Sequence, residues 1–241
     1  MLKQNSLYLG DCIDLFEKVE DHTIDLIFLD PPYNLQLNKV LTRPNHSVVN
    51  GVTQDWDKFD NYASYDEFTL SYLRECKRVL KPDGGLWIIG SYHNIFRIGK
   101  ILQDINFWIL NDVIWAKSNP LPNFRATRLT NAHETLIWCS KKPKSKYQFN
   151  YHTLKVANED KQERSIWNFP ICSGKERIKN KTNQTAHPTQ KPLALMKKII
   201  LQSSIQGDLI LEPFAGTASF CAEGKYLGRN ALDTWLFNHS L

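Results

Sequence analysis

No two of the five cysteines, Cys12, Cys76, Cys139, Cys172 and Cys221, stand at CxxC spacing. This removes the usual beginnings of a zinc site or a dithiol redox motif. Odd in number and widely scattered, they read as reduced and mostly buried thiols. No stretch approaches the roughly 20 apolar residues that cross a bilayer, and the start, Met1-Leu2-Lys3-Gln4-Asn5, has no apolar signal core. The expectation is a protein without a membrane partner, located in the cytoplasm. Internal repeats and low-complexity tracts are absent too, as is a strong charge of one sign: the net charge is +5 over 241 residues. That balance by itself is a weak pointer to a polyanion. The basic residues gather in one polar stretch between Lys141 and Lys198, which reads equally as a solvated face or as a nucleic-acid surface.

What is present suits a single α/β domain over residues 1–241, since 42% hydrophobic content at this length fills one core. Short runs rich in β-branched and aromatic residues predict strands buried on both faces at Thr23–Leu29, Gly85–Ile89, Trp108–Trp115, Thr135–Cys139 and Leu209–Leu211. Helical spacing is best over Tyr65–Leu80, with Lys81-Pro82-Asp83-Gly84 as the stop. It recurs over Ile95–Ile105, Leu193–Leu201 and Ser219–Leu227. Strands alternating with helices predict a doubly wound, mostly parallel sheet, whose ligands bind beyond the carboxyl ends of its strands. From Ser118 to Lys191 the rhythm breaks into polar, basic, irregular sequence, which reads as an insertion serving a partner.

The residues just after the predicted strands are therefore the ones to weigh. Thr23–Leu29 delivers Asp30-Pro31-Pro32-Tyr33-Asn34. Two prolines fix the backbone and remove two N–H donors, so carbonyls point outward while Asp30 and Tyr33 are held rigidly. Pro-Pro alone reads as a turn, with Asp30 a turn former. The whole pentapeptide after a buried strand offers a carboxylate, a carbonyl and an aromatic face to a flat group bearing NH2. An exocyclic base amine is such a group. Hydrogen bonds to the Asp30 carboxylate and the Pro31 carbonyl would turn its conjugated lone pair toward an electrophile, with Tyr33 stacked on the ring. Such a nitrogen is reachable only if the base is flipped out of the duplex. Near the other end, Leu209–Leu211 runs into Glu212-Pro213-Phe214-Ala215-Gly216-Thr217-Ala218-Ser219 and a helix, the strand, turn and helix N-terminus of a nucleotide cradle. His187-Pro188-Thr189-Gln190-Lys191-Pro192 opens the helix before it.

These three motifs, in this order, resemble the β-group S-adenosylmethionine-dependent DNA amino-methyltransferases, in which the catalytic motif precedes the cofactor motif in permuted order. More narrowly, GSYHNIFR (Gly90–Arg97), FWILND (Phe107–Asp112), KSNPLPNF (Lys117–Phe124) and NAHETLIW (Asn131–Trp138) resemble the GANTC-methylating adenine-N6 enzymes. That group includes the cell-cycle-regulated bacterial adenine methyltransferase and restriction-system relatives. The resemblance runs from about Leu2 to Asn230. It implies a Rossmann-like methyltransferase fold with residues 118–186 as a target-recognition insertion, and a catalytic loop of Asp30, Pro31, Pro32 and Tyr33. It implies that S-adenosylmethionine is held by Asp11, Cys12, Asp30, Lys191, Glu212, Phe214, Gly216 and Thr217, with no metal. Double-stranded DNA would meet Asn34, Leu37, Leu41, Arg43, Asn119, Asn123, Arg125 and Arg128. A homodimer, a cognate restriction enzyme and association with the nucleoid are further implications.

The pattern departs from that family on the cofactor side. Its Phe-x-Gly-x-Gly loop has Ala218 in place of the second glycine, an added methyl where backbone approaches ligand. After Asn230 the family continues into a strand ending in a ribose-binding acid. Here Trp235 takes that place and Asp233, two positions short, is the nearest substitute. The extra C-terminal DNA-binding region of some relatives is also missing. Two other readings stay open beside adenine-N6 methylation in GANTC: cytosine-N4 methylation, and a DNA-binding module with an impaired cofactor site.

Overall fold

A computed structural model describes residues 2–35, 41–42, 48–49, 57–123 and 126–235. Its elements, in chain order, are β1 (Ser6–Leu9), α1 (Cys12–Phe16), β2 (Ile24–Leu29), the short hairpin β3 (Leu41–Thr42) and β4 (Val48–Val49), α2 (Tyr62–Val79) and β5 (Leu80–Gly90). There follow α3 (Ile95–Asp104), β6 (Trp108–Lys117), β7 (His133–Ser140), α4 (Tyr151–Ala157) and β8 (Ile166–Phe169). The last are α5 (Leu193–Ser203), β9 (Leu209–Glu212), α6 (Ser219–Tyr226) and β10 (Asn230–Trp235).

Eight strands form one sheet in the order β1-β10-β9-β2-β5-β7-β6-β8, and only β7 runs against the rest. Both faces are covered, which is why β2 and β5 are continuous apolar runs rather than alternating ones. On one face, Cys12 and Phe16 of α1, Tyr72 and Cys76 of α2 and Ile98 and Leu102 of α3 pack with Ile27, Leu29 and Ile88. On the other, Leu195, Met196 and Ile199 of α5 and Phe220 of α6 pack with Leu26, Phe28 and Trp87. This is the doubly wound architecture that the strand and helix alternation predicts. From β2 the chain winds outward through β5, and from β9 outward through β10, so adjacent β2 and β9 mark the switch point of the sheet.

Local chemistry moves several boundaries. α2 begins at Tyr62 rather than Tyr65 because Asn61 and Ser64 cap it reciprocally: Asn61 Oδ1 accepts from Ser64 N at 2.9 Å, and Ser64 Oγ from Asn61 N at 3.3 Å. The predicted stop at Lys81–Gly84 does end the helix, yet it lies inside β5. Ile24 pairs with Leu80 and Leu26 with Gly85, so these residues sit at a register break along β2. At Gly84 a Cβ would fall 2.8 Å from a Leu80 methyl and 3.1 and 3.2 Å from the carbonyls of Ile24 and Asp25, a tight fit that favours glycine.

Seven elements escape the apolar-run reading: β1, α1, β3, β4, α4, β8 and β10. The strand that leads into Asp30 is therefore the second in chain order. The stretch expected to be irregular from Ser118 onward contains α4 and supplies β8, an edge strand paired in parallel with β6. With only four residues, β8 buries one large side chain, Trp167, against Trp87 at 5.6 Å between ring centroids. Some of its basic residues are structural: Lys141 Nζ donates to the carbonyl of Leu80, and Arg177 to that of Pro188 at 2.6 Å. The departing tail also folds into the sheet. Asn230–Trp235 forms β10 between β1 and β9, with Asp233 opposite Glu212. No helix among the described residues is long and apolar enough to cross a membrane.

Candidate active site

β2 and β9 end side by side, and the chain leaving each turns over the same carboxyl edge. Between them opens a cleft with about 820 Å³ of empty space. One wall is Asp30, Pro31, Pro32 and Tyr33. The opposite wall is Glu212, Phe214, Gly216 and Thr217, and Lys191 joins the two. Three motifs far apart in the sequence thus meet at one place.

The loop after β2 is held from behind. Asp57 accepts from three successive backbone N–H groups, those of Tyr33, Asn34 and Leu35, at 2.6, 2.7 and 2.9 Å. The Pro32 carbonyl accepts from the Tyr65 hydroxyl at 2.9 Å and from Asn94 Nδ2 at 3.4 Å. Asn34 takes the left-handed conformation, φ 55°, that lets three N–H groups converge on one carboxylate.

Charge dominates the front of the loop. Lys191 Nζ donates to both Asp30 oxygens, at 2.8 and 2.7 Å, and stands 3.9 Å from Glu134 Oε2. Glu134 Oε2 accepts from the Tyr33 hydroxyl at 2.9 Å, and its Oε1 from Lys117 Nζ at 2.7 Å. The Lys191 side chain is 8% exposed, and those of Asp30, Glu134 and Lys117 16%, 13% and 13%. Burial pushes the Asp30 carboxyl up, with Lys191 opposing it. Burial acts on Glu134 in the same sense, but Lys191 and Lys117 outweigh it and hold that carboxyl below its ordinary range. For Lys191, burial is overcome by Asp30 and Glu134, and the ammonium is held above its ordinary value.

On the opposite wall, Gly216 has φ 53°, and a Cβ there would lie 3.3 Å from the His187 ring, so residues of two separate motifs interlock. Burial lowers the His187 pKa to about 4, which keeps the ring neutral. Phe214 is buried edge-on against Tyr72, 5.1 Å between centroids. Ala218 sits at φ 54°, ψ 30°, the left-handed conformation that glycine adopts without cost. Behind this wall Glu212, Cys221 and Asp233 bring potential ligand atoms within 4.8 Å of one another, all buried. Burial raises the pKa of each: Glu212 well above the usual carboxylate range, Asp233 to about 6, and the Cys221 thiol well up.

Of the sequence-predicted residues, the catalytic four share the cleft with Lys191, Glu212, Phe214, Gly216 and Thr217. Asp11, Cys12 and Asp233 do not line it. The Asp11 carboxylate caps α1, accepting from Ile13 N at 2.8 Å, and Cys12 is buried in the core. Lys191, expected on the cofactor, is engaged by Asp30. Among the residues expected to meet DNA, Asn34 is buried, whereas Asn119, Asn123 and Arg128 lie on the loop after β6. There Asn119 Oδ1 accepts from Ile171 N at 2.7 Å, Asn123 Nδ2 donates to the Arg128 carbonyl at 3.1 Å, and the Arg128 guanidinium lies over the Tyr92 ring. Leu37, Arg43 and Arg125 lie outside the described residues, as does the Leu41 side chain. Residue types and spacing do not point to Asp57, Tyr65, Asn94, Lys117 or Glu134. A charged residue beside a buried strand pattern, as Glu134 is beside Thr135–Cys139, is the one signal that could have found any of them.

Comparison with known proteins gives the family and the fold. The profile of the N6/N4 methyltransferase family, described as DNA methylase, matches residues 24–234. Type II methyltransferase M.HinfI of Haemophilus influenzae is 52% identical over 226 residues, which is 94% of this chain and 63% of that protein. This chain therefore spans somewhat less than two thirds of that relative's length. Type II methyltransferase M2.MboI of Moraxella bovis is 42% identical over 95% of this chain and 81% of its own. Among solved structures, the M1.HpyAVI–SAM complex superposes with a TM-score of 0.67 at 25% identity, covering 97% of this chain and 93% of that one. The cytosine-N4-specific PvuII DNA methyltransferase shares the fold, with a TM-score of 0.73 at 17% identity over 98% and 83%. By its residues, its sheet and these relatives, the chain belongs to the N6/N4 DNA methylase family.

Proposed function

We propose that the protein is an S-adenosylmethionine-dependent DNA methyltransferase that modifies adenine N6, with GANTC as its site. The observation that carries this reading is the meeting of Asp30–Tyr33 with Glu212–Thr217 on one cleft at the switch point. That cleft places an amine-binding loop opposite a strand–turn–helix cradle for the cosubstrate. The cosubstrate supplies the methyl group: its S–CH3 bond breaks with the electron pair kept by sulfur as the N–CH3 bond forms, and the nitrogen then releases a proton. Asp30 accepts an N–H of the exocyclic amine. Tyr33, fixed at its backbone by Asp57 and at its hydroxyl by Glu134, presents its ring to a base flipped out of the duplex. Asp rather than Ser at position 30 favours adenine, and the strings Gly90–Arg97, Phe107–Asp112, Lys117–Phe124 and Asn131–Trp138 favour GANTC. Cytosine-N4 chemistry presents its amine in the same way and is the second reading.

The deciding assay incubates labelled S-adenosylmethionine with duplexes containing or lacking GANTC, then digests the product to nucleosides. N6-methyladenosine confined to GANTC duplexes is expected. N4-methylcytosine would establish the second reading, and no transfer despite DNA binding would establish a binding module. Asp30→Ala should abolish transfer while DNA binding survives.

A further inference from the structure

Asp30, Lys191, Glu134 and Lys117 form a chain of alternating charge, minus, plus, minus, plus, drawn from the ends of β2, β7 and β6 and from the segment before α5. In this arrangement the ammonium of Lys191 covers both oxygens of the carboxylate that is to receive the substrate amine. An acceptor so occupied is a weaker one. Lys191 is nearly buried, so no bulk water is at hand to take it up when it moves aside. The neighbouring seat is Glu134 Oε2, 3.9 Å away, little more than about 1 Å beyond a hydrogen bond. Glu134 is suited to receive it, because Lys117 binds the other carboxylate oxygen and fixes the group. Lys191 Nζ also lies over the Tyr33 ring, 5.3 Å from its centroid.

We propose, resting on the methyl-transfer reading above, that Glu134 is a positioning residue whose Oε2 receives the Lys191 ammonium as the substrate amine takes its place on Asp30. Glu134 so does two things at once. It frees the amine acceptor, and through the Tyr33 hydroxyl it holds the ring on which the base lies. Two further groups face Lys191. Glu212, the last residue of β9, has its pKa raised well above the usual carboxylate range by burial and by the adjoining Asp233, and it adds to the field that holds the Lys191 proton. His187, on the same segment as Lys191, is neutral.

Glu134→Gln keeps the shape and removes the charge. With the seat gone, Lys191 stays on Asp30, and the single-turnover rate near neutral pH should fall on the order of ten- to a hundredfold with KM for DNA little changed. Because Glu134 helps hold the Lys191 proton, the variant's rate should climb again at alkaline pH as the ammonium deprotonates and releases Asp30, a rise the wild type lacks. Glu134→Asp, which retains the charge, should recover part of the loss. Independently of catalysis, an NMR titration of 13Cε-labelled lysine, with the Lys191 signal identified by its loss in Lys191→Met, should show the Lys191 pKa falling in Glu134→Gln. A near-normal rate in Glu134→Gln, a loss with no alkaline recovery, or an unmoved Lys191 titration would each overturn the proposal. If the wild type transfers no methyl group, the functional reading fails by itself, and the lysine titration still accepts or rejects the shared ammonium.

Discussion

Asp57 holds Tyr33 by its backbone N–H at 2.6 Å, across 24 positions of sequence, and takes the next two N–H groups as well. Asp57 is 3% exposed, so its removal would leave three N–H groups without the partner that now satisfies them away from water. Asp57→Ala should therefore destabilise the protein by about 2–4 kcal/mol and loosen the loop that carries Tyr33. Asp57→Asn, with one acceptor oxygen left, should fall between. Thermal unfolding and single-turnover rates check this together. A variant with the wild-type melting temperature would show that the loop is held by Tyr65 and the prolines without Asp57.

Ala218 offers a change in the opposite direction. At φ 54° its methyl group costs about 1 kcal/mol, partly offset because glycine has more freedom to lose on folding. Ala218→Gly should raise stability by about 0.5 kcal/mol or more. It should also tighten S-adenosylmethionine binding in calorimetry, because the turn that carries Gly216 and Thr217 then keeps its left-handed residue without strain. Weaker cosubstrate binding in the glycine variant would mean that the methyl group is part of the site.

How much of this is legible in the residues depends on what holds each group in its place. β2, β5, β7 and β9 are buried on both faces and announce themselves as apolar runs, and the residues after β2 and β9 are the walls of the cleft. β8 and β10 do not, because one pairs as a four-residue edge and the other mixes Asn230, Asp233 and Thr234 among apolar neighbours. The position of Lys191 is legible but not its partner: a lysine beside a cofactor loop reads as an anion binder, and only the fold brings Asp30 to 2.7 Å from it. Asp57 and Glu134 are invisible as a pair of supports, since nothing local distinguishes a carboxylate that caps a distant loop from one facing water.

Two groups, Asp233 behind the cleft and His187 lining it, should set opposite pH slopes. Asp233 titrates at about 6 in the fold, against an ordinary value of 3.8. Between those values the folded state binds more protons than the unfolded one, so stability falls as pH rises from about 4 to 6. His187 titrates at about 4 in the fold against 6.5. There the unfolded state binds more protons, so stability rises over nearly the same window. In the wild type the two slopes oppose each other, and unfolding free energy should change little between about pH 4 and 6 on their account. Asp233→Asn removes the falling component and should leave a protein that gains stability with rising pH. That variant should also exceed the wild type above about pH 6, by at most about 3 kcal/mol for a shift of this size. His187→Asn should do the reverse, losing stability as pH rises. Urea unfolding of the three proteins at half-unit pH steps measures all of this directly. Parallel curves for Asp233→Asn and wild type would mean that the carboxyl facing Glu212 and Cys221 titrates in the fold as it does in the unfolded chain.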